Sequence, residues 1–136
     1  MKRVLFVCVH NSGRSQMAAA FARRLANEGL EVESAGTEPS ERVNAVVAQV
    51  MREQGIDVSQ SRPRLLTQAM VDRADQVITM GCSMDESCPA RFVPADDWGL
   101  PDPEGKSIEE VRGIRDQVEA RVRRLLTELG AAVAVT

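Results

Sequence analysis

The residue types and spacing at 8–15 are typical of a loop that binds a tetrahedral oxyanion and positions a nucleophile to attack it. Cys8 follows an apolar run, five residues separate it from Arg14, and a helical pattern begins directly behind. Backbone N–H groups of such a strand-to-helix loop can converge on an anion, and the helix N-terminus adds positive partial charge. The Arg14 guanidinium offers a planar fork to two oxyanion oxygens. The same field favours the thiolate form of Cys8, which predicts a nucleophile near neutral pH.

Three further side chains suit this loop. Gly13 can adopt a positive φ or let a ligand approach closely. Asn11 tolerates a left-handed backbone, and Ser15 can donate a hydrogen bond to the thiolate. A buried structural cysteine is the alternative, but the chemistry of the loop favours the nucleophile. The predicted oxyanion-binding set is Val9, His10, Asn11, Ser12, Gly13, Arg14 and Ser15.

Size and composition indicate a single soluble domain over residues 1–136. Hydrophobic residues make up 43% of the chain and charged residues 27%, which is enough apolar content for a core. The net charge of -3 argues against general nucleic-acid binding, and no apolar run is as long as a membrane span. Because the N-terminus lacks a signal-peptide pattern, we expect a cytoplasmic protein. In that compartment, three cysteines indicate reactivity rather than structural disulfides.

The apolar patterns predict strands that alternate with helices. Such alternation implies a parallel sheet with right-handed crossovers, which binds ligands beyond the carboxyl ends of its strands. Cys8 lies at the carboxyl end of the first strand, so the fold and the motif indicate the same edge. The predicted strands are 3–7, 30–34, 76–80 and one near 91–94; the predicted helices are 15–28, 43–54, 65–74 and a last helix that starts at a capping box of Ser107 and Glu110 and ends at Gly130.

Cys82 and Cys88 follow the third predicted strand and therefore emerge at the same edge as Cys8. A zinc site is disfavoured, because the spacing lacks a C-x-x-C pair and the one histidine, His10, lies in the anion loop. If the segment between the two cysteines is helical, it separates them by roughly 9 Å, which is too far for a disulfide. We therefore predict a redox-switched loop that unwinds on oxidation. Two inert cysteines are the alternative, and identical amide exchange in the reduced and oxidised protein would favour them.

Asp102 lies in a rigid acidic stretch, with Pro101 and Pro103 on either side. The two prolines restrict the backbone there. An aspartic acid held over the anion site could protonate a departing oxygen, and nearby negative charge would favour its protonated form. An ordinary surface turn explains the same residues equally well. Trp98, in the same stretch, is interpreted as a packing residue.

Together these motifs resemble the thioredoxin-coupled arsenate reductases, which share the fold of the low-molecular-weight tyrosine phosphatases. The resemblance covers nearly the whole chain and is carried by the sequence CVHNSGRSQM at 8–17, by 34–36, by 82–89 and by 97–103. It implies an α/β fold in which helices flank a four-stranded parallel sheet, with a flavodoxin-like three-layer arrangement.

The resemblance implies a relay of three thiols. Cys8 attacks arsenate held by Arg14 and the loop amides, with Asp102 as the acid, and forms a thiol–arsenate adduct. Cys82 then attacks Cys8 and arsenite leaves; Cys88 attacks Cys82, and thioredoxin reduces the resulting disulfide. Each exchange agrees with thiolate chemistry.

The resemblance also assigns roles beside the nucleophile. It implies that Ser15 stabilises the thiolate and that Asn11 shapes the loop. Some members bind potassium there through a glutamate and other oxygens, but the matching positions in this chain are Ala19 and Arg62. We therefore expect no metal and no cofactor apart from the external reductant, and we hypothesise that a guanidinium replaces the cation. Potassium bound to Asn11 and Ser34 would overturn that hypothesis.

Two alternative functions remain. A phosphatase of this fold would use the same loop and Asp102, but Glu104 occupies the region of a substrate-stacking tyrosine, and the chain has no Tyr and only 3% aromatic residues. A redox or oxyanion sensor that signals through the moving loop is the second alternative. The expected partners are arsenate or another tetrahedral oxyanion, and thioredoxin; glutaredoxin or a small thiol is the other possible donor. We expect a monomer that binds neither nucleic acid nor membrane.

Overall fold

Strands and helices alternate along the chain. The computed structural model describes residues 2–26, 29–80 and 95–130. The strands form one parallel sheet in the order β2-β1-β3-β4, which confirms the predicted parallel sheet with flanking helices. The elements are β1 (Lys2–Cys8), α1 (Arg14–Leu25), β2 (Leu30–Gly36), α2 (Ala45–Arg52), α3 (Gln68–Arg73), β3 (Gln76–Met80), the three-residue β4 (Ala95–Asp97) and α4 (Ile108–Glu128).

Helices cover both faces of the sheet. Successive side chains of a strand point to opposite faces, so β1 contributes to two cores. Phe6 packs in the core that contains residues of α1, α2 and α4, whereas Leu5 and Val7 pack with Met70 and Val71 of α3. All five side chains are buried. The sheet is therefore the middle of three layers, which is why β1 is apolar on both faces.

The strand order places a crevice at the end of β1. This strand lies between β2 and β3, so the chain first crosses to one side of β1 and later returns to the other. In an open parallel sheet, this reversal leaves room for a ligand beyond the carboxyl ends of the two adjacent strands. Here the ends are Cys8 and Met80, which are partners in the β1–β3 register. The loop after Cys8 occupies that crevice.

Two predicted helices begin later than expected. α2 begins at Ala45 rather than at 43, because the Asn44 side chain caps it by accepting two backbone N–H bonds. α3 begins at Gln68 rather than at 65, because Leu65 pairs with Gly36 in an isolated bridge that extends the edge of the sheet. Both helix starts depend on specific hydrogen bonds, and the spacing of apolar residues along the chain does not indicate these. α1 ends at residue 25, and the predicted end at 28 lies outside the described residues.

The fourth strand is described at Ala95–Asp97, and the predicted strand near 91–94 lies outside the described residues. It pairs in parallel with β3, and the Trp98 N–H donates to the Thr79 carbonyl at 2.9 Å. The Trp98 ring is buried, with its centroid 5.8 Å from that of Phe6. The predicted packing role of Trp98 is confirmed.

α4 starts and ends as predicted. The Ser107 hydroxyl accepts the Glu110 N–H and the Glu110 carboxylate accepts the Ser107 N–H, which is a complete capping box. Gly130 follows the helix with φ of 69°, the left-handed conformation common at helix C-termini. Within the described part of the chain, no helix combines the length and apolar character needed to cross a bilayer.

Glu33 on β2 joins three elements at the sheet surface. Its carboxylate accepts hydrogen bonds from Arg73 of α3 at 2.8 and 2.5 Å, and Arg3 of β1 and Arg64 lie 3.7 and 3.9 Å away. The Glu33 side chain is only 14% exposed. The Arg73 hydrogen bond is the main cause that lowers the pKa of Glu33 below its ordinary 4.5, and it outweighs the opposing effect of burial.

Glu33→Gln should lower the free energy of unfolding near neutral pH and have less effect in acid. Because the folded-state pKa is lowered, the carboxylate stabilises the fold above the ordinary pKa of 4.5, and that stability is lost as the pH falls through the folded value. Urea unfolding at several pH values between about 3 and about 7 tests this. Glu128→Gln is the control, since that exposed side chain is 3.8 Å from Arg124, and it should change stability by less than about 0.5 kcal/mol. A Glu33→Gln loss of the same size at every pH would contradict the assignment.

Candidate active site

Cys8 is the last residue of β1, and its free thiol is 2% exposed. The Sγ atom lies 2.8 Å from the Ser15 hydroxyl oxygen. That oxygen accepts a hydrogen bond from the Asn11 side-chain NH2 at 2.6 Å. The single hydroxyl hydrogen of Ser15 is therefore left to point at the sulfur. A hydrogen bond donated in this direction favours a thiolate over a thiol.

Asn11 holds the loop in an unusual conformation. It is fully buried and has φ of 49°, the left-handed region that the sequence indicated it could tolerate. Its Oδ1 accepts the Arg64 N–H at 2.9 Å. Because a backbone N–H can only donate, this contact settles the orientation of the amide and places Nδ2 toward Ser15.

The carbonyl groups of the loop point away from its centre. The Val9, His10 and Ser12 carbonyls accept N–H groups of residues 38–44 at 2.8 to 3.0 Å. In a trans peptide, the N–H points opposite to the carbonyl, so the following N–H groups point to the other side. Among the described residues, these N–H groups have no hydrogen-bond acceptor. They belong to His10, Asn11 and Gly13 and have the arrangement that an anion-binding loop needs; the binding of an oxyanion by these residues stays a prediction.

The N-terminus of α1 adds to this array. α1 has no side-chain cap and no acidic residue in its first turn. The other three helices within residues 2–26, 29–80 and 95–130 are each capped by a side chain, from Asn44, Thr67 and Ser107. The first N–H groups of α1 and the positive end of its dipole therefore remain available to an anion.

Arg14 is 6% exposed and presents one unengaged edge. Its Nη1 donates to the Leu100 carbonyl at 2.9 Å. Its Nη2 is 3.7 Å from Asp102 Oδ2, beyond hydrogen-bond distance, and its buried Nε has no acceptor among the described residues. Nε and Nη2 form the edge of a guanidinium that can bind two oxyanion oxygens side by side.

Asp102 lies beside Arg14, at the mouth of the loop, and its side chain is 47% exposed. Its Oδ1 accepts the Glu104 N–H at 3.0 Å. The neighbouring Pro103 packs directly on the loop, since a Cβ on Gly13 would lie 2.6 Å from the proline Cγ. Gly13 has φ of -139°, so the first of the two reasons considered for a glycine, a positive φ, does not apply. A glycine is needed there because Pro103 approaches closely.

Three residues that shape the loop were not assigned this role from the sequence. A Cβ on Gly36, at the end of β2, would lie 2.6 Å from the Val9 carbonyl and 2.8 Å from the Asn11 nitrogen. Arg64 supplies the backbone donor to Asn11, and the Gln16 side chain donates to two Asn11 oxygens at 3.1 and 3.3 Å. Two of these roles had a signal in the sequence. Gly36 is a glycine at the end of a neighbouring strand, and Gln16 is an amide side chain in the first turn behind the anion loop.

Two positions beside the loop lack the oxygen ligands that the resemblance implies for potassium. Both oxygens of Asn11 already accept hydrogen bonds from Gln16. Ala19 is buried in the apolar core, and Arg62 is exposed; neither supplies an oxygen ligand from its side chain. The group that reaches the Asn11 oxygens is the Gln16 amide, and the hypothesis that a guanidinium replaces the cation stays a prediction.

His10, Asp102 and Glu104 lie together at the rim of the site. Each offers a ligand atom, and the three atoms are within 4.8 Å of one another. His10 Nδ1 donates to the Glu38 carbonyl at 3.0 Å, which leaves Nε2 facing Glu104, 3.9 Å from its carboxylate. Nitrogen and carboxylate groups can bind a divalent cation, but both carboxylates are exposed. The expectation that this protein holds no metal stays a prediction.

Cys82 and Cys88 fall within residues 81–94, outside the described part of the chain. The segment that carries them follows Met80, and Met80 is the β3 partner of Cys8. The redox-switched loop and the transfer between thiols stay predictions.

Sequence comparisons agree on one family. A family model described as low molecular weight phosphotyrosine protein phosphatase matches residues 3–135. A Halobacterium salinarum protein, named provisionally as an arsenate reductase, is 44% identical over 128 residues, with 90% of this chain and 89% of that protein covered. The glutaredoxin arsenate reductase of Synechocystis sp. is 39% identical over 132 residues, with 95% and 99% covered.

Solved structures with a similar fold include proteins named as arsenate reductases and a protein named as a phosphatase. The thioredoxin-dependent arsenate reductase of Corynebacterium glutamicum has a TM-score of 0.80 at 34% identity; the match covers 96% of this chain but only 62% of that longer one. An arginine phosphatase from Geobacillus stearothermophilus has a TM-score of 0.81 at 32% identity, with 96% and 94% covered. An arsenate reductase in a phosphate-binding state has a TM-score of 0.81 at 38% identity, with 94% and 98% covered. Fold alone therefore does not separate arsenate reduction from phosphatase activity.

Gly13→Ala should weaken oxyanion binding by about tenfold, because the added methyl group overlaps Pro103 and displaces the Asp102 segment; overpacking of this kind costs about 1–3 kcal/mol. Calorimetric titration with phosphate measures the change. Gly113→Ala is the matched control, since a Cβ there meets nothing within 4 Å. Equal phosphate affinity in the two variants would show that the Pro103 contact has no role in binding.

Proposed function

The chain belongs to the low molecular weight phosphotyrosine protein phosphatase family, and we propose that it is an enzyme of the arsenate reductase type. The observation that carries the proposal is the buried Cys8 thiol, which faces the Ser15 hydroxyl at 2.8 Å at the base of an anion-binding loop. The relatives named as arsenate reductases support the choice of substrate, and the three cysteines support reduction over hydrolysis.

In the first step, arsenate binds with its oxygens on the loop N–H groups and on the Nε–Nη2 edge of Arg14. The Cys8 thiolate attacks arsenic, so that an As–S bond forms while an As–O bond breaks. The departing oxygen takes the proton of Asp102 and leaves as water. Arsenic is still As(V) in the resulting adduct. The position of Asp102, 3.7 Å from Arg14, supports its role as the acid.

Reduction follows in the second step. The Cys82 thiolate attacks the Cys8 sulfur, an S–S bond forms, and the As–S electron pair stays on arsenic, which leaves as arsenite, As(III). The Cys88 thiolate then attacks the Cys82 sulfur, which releases the Cys8 thiolate and leaves a Cys82–Cys88 disulfide. The two electrons come from the Cys82 and Cys88 thiols, and an external dithiol restores them.

We propose thioredoxin as that external dithiol. A disulfide between two neighbouring cysteines is open to attack by a dithiol protein, and the Corynebacterium glutamicum neighbour is named as thioredoxin-dependent. The Synechocystis relative is named for glutaredoxin, so glutaredoxin is the specific rival donor.

Phosphatase activity is the second candidate function, and the similarity to the Geobacillus stearothermophilus arginine phosphatase supports it. The loop and Asp102 would serve a phosphate ester as well as arsenate. Glu104, where a substrate-stacking ring is expected in phosphatases of this fold, is an exposed carboxylate and offers no aromatic surface. We therefore expect slow ester hydrolysis beside arsenate reduction.

Replacing the three cysteines one at a time by serine should separate the two functions. Cys8→Ser should abolish arsenite formation and p-nitrophenyl phosphate hydrolysis. Cys82→Ser should abolish only arsenite formation. Cys88→Ser should release about one arsenite per protein and stop, since the Cys8–Cys82 disulfide then has no resolving thiol. NADPH oxidation with the thioredoxin or the glutaredoxin system and arsenite assays measure these outcomes.

The relay would be wrong if Cys82→Ser reduced arsenate at the wild-type rate. Rapid ester hydrolysis by the wild type without arsenate-dependent NADPH oxidation would favour the phosphatase. Oxidation with glutaredoxin but not with thioredoxin would change the donor and leave the relay intact.

Asp102→Asn should slow adduct formation by about 10²- to 10⁴-fold and leave phosphate affinity close to the wild-type value, because the acid acts on the departing oxygen. Stopped-flow arsenate reduction in a single turnover measures the rate. Glu104→Gln, in the same segment, should stay within about threefold of the wild type, since a surface substitution of this kind perturbs little. Similar rates for Asp102→Asn and the wild type would remove Asp102 from the mechanism.

A further inference from the structure

Gln16 contacts the anion loop from the helix behind it. It lies in the first turn of α1 and is 3% exposed. Its side-chain Nε2 lies 3.1 Å from the Asn11 carbonyl oxygen and 3.3 Å from Asn11 Oδ1. Both neighbours are oxygens, so the NH2 end must face them, and its two hydrogens can serve both at once.

The first of these contacts orients a peptide of the loop. The carbonyls of residues 9, 10 and 12 are held by residues 38–44, and that of Gly13 accepts the Met17 N–H. Gln16 holds the one left, that of Asn11. Because the peptide is trans, the N–H of Ser12 points away from Gln16. Gln16 therefore completes the set of outward carbonyls, and with it the set of N–H groups left for an oxyanion.

The second contact orients the Asn11 side chain. Asn11 Oδ1 has two lone pairs, which accept the Arg64 N–H and the Gln16 NH2. With both accounted for, Asn11 Nδ2 donates to the Ser15 hydroxyl, and the hydroxyl hydrogen is left for the Cys8 sulfur. A continuous path of hydrogen bonds thus leads from Gln16 to the nucleophile.

We propose that Gln16 is a positioning residue that sets both the reactivity of the Cys8 thiol and the affinity of the loop for an oxyanion. Its side chain binds Asn11 and acts on the sulfur and on an oxyanion through that residue. The inference shares with the proposed function only the assignment of this loop to oxyanions, and it does not depend on the reduction of arsenate. A glutamine that merely filled space would affect stability and leave the ionisation of the thiol unchanged.

Gln16→Leu tests the proposal, because leucine fills the space without donating a hydrogen bond. Iodoacetamide alkylation of the Cys8 peptide, followed by mass spectrometry across pH, should show a midpoint about one pH unit higher than in the wild type, which is about tenfold in rate below the midpoint. The phosphate concentration that protects Cys8 should rise about tenfold. Gln49→Leu, at an exposed position of α2, is the matched control and should keep both wild-type values.

Gln16→Glu keeps the length but has no hydrogen to donate once ionised, so it should shift both the alkylation midpoint and the protecting phosphate concentration in the same direction as Gln16→Leu.

In the wild-type protein, the Gln16 side-chain NH2 protons should exchange with solvent at least about tenfold more slowly than those of Gln49, as seen by NMR. This measurement needs no variant to fold. Wild-type values of either the alkylation midpoint or the phosphate protection in a folded Gln16→Leu or Gln16→Glu protein would overturn the proposal. So would equal exchange at Gln16 and Gln49. None of these measurements uses arsenate, so they can fail or succeed independently of the proposed reduction.

Discussion

The loop between β1 and α1 can bind an anion only if each of its peptides turns its carbonyl away from that anion. A carbonyl oxygen repels an anion, whereas an N–H attracts it, so the loop works only if all of its carbonyls face outward. Buried carbonyls in turn need donors. Residues 38–44 supply donors to three of them, Gln16 supplies the donor to the Asn11 carbonyl, and the Met17 N–H of α1 donates to the Gly13 carbonyl. Asn44 serves twice, since its N–H binds the Ser12 carbonyl while its side chain caps α2. The surrounding elements thus supply a frame of hydrogen-bond donors that fixes the orientation of the loop carbonyls.

The conformation of Asn11 shows how such a frame outweighs local strain. A non-glycine residue in a sparsely populated backbone region costs about 1–3 kcal/mol. Asn11 makes four hydrogen bonds, to Arg64, to Ser15 and twice to Gln16, and each is worth about 0.5–1.5 kcal/mol. Together they match or exceed the strain. The array of donors is therefore set before a ligand arrives, which is the condition for electrostatic stabilisation without reorganisation.

Arg14 connects the loop to the segment that carries the acid. One nitrogen of its guanidinium binds the Leu100 carbonyl, and the edge formed by the other two remains for the oxyanion. A lysine could not do both, because its charge is a point rather than a planar fork. Pro103 on Gly13 adds a second contact between the same two segments. These two contacts hold Asp102 beside the loop although it is far from the loop in sequence.

Features that depend on neighbours in sequence were predicted well. Strand β3 at Gln76–Met80 and the capping box at the start of α4 agree with the sequence prediction, because periodicity and capping act over a few residues. The starts of α2 and α3 were missed, since they depend on a cap and on a bridge to Gly36. Arg115 gives a further example: it is buried and donates to the Val50 carbonyl and to Glu53, a pairing that its place on a charged helix did not indicate.

By itself, the sequence determined which residues could do chemistry: a thiol at a strand end, an arginine six positions on, and a helix directly behind. All of these lie in one short stretch, where covalent geometry fixes what can meet. Only the tertiary structure decided how that stretch is held and which distant groups complete it: the Arg64 N–H, the Leu100 carbonyl and residues 38–44. Those partners come together because parallel strands end at one edge of the sheet, and the hydrogen bonds across that edge leave no mark in the spacing of residues along the chain.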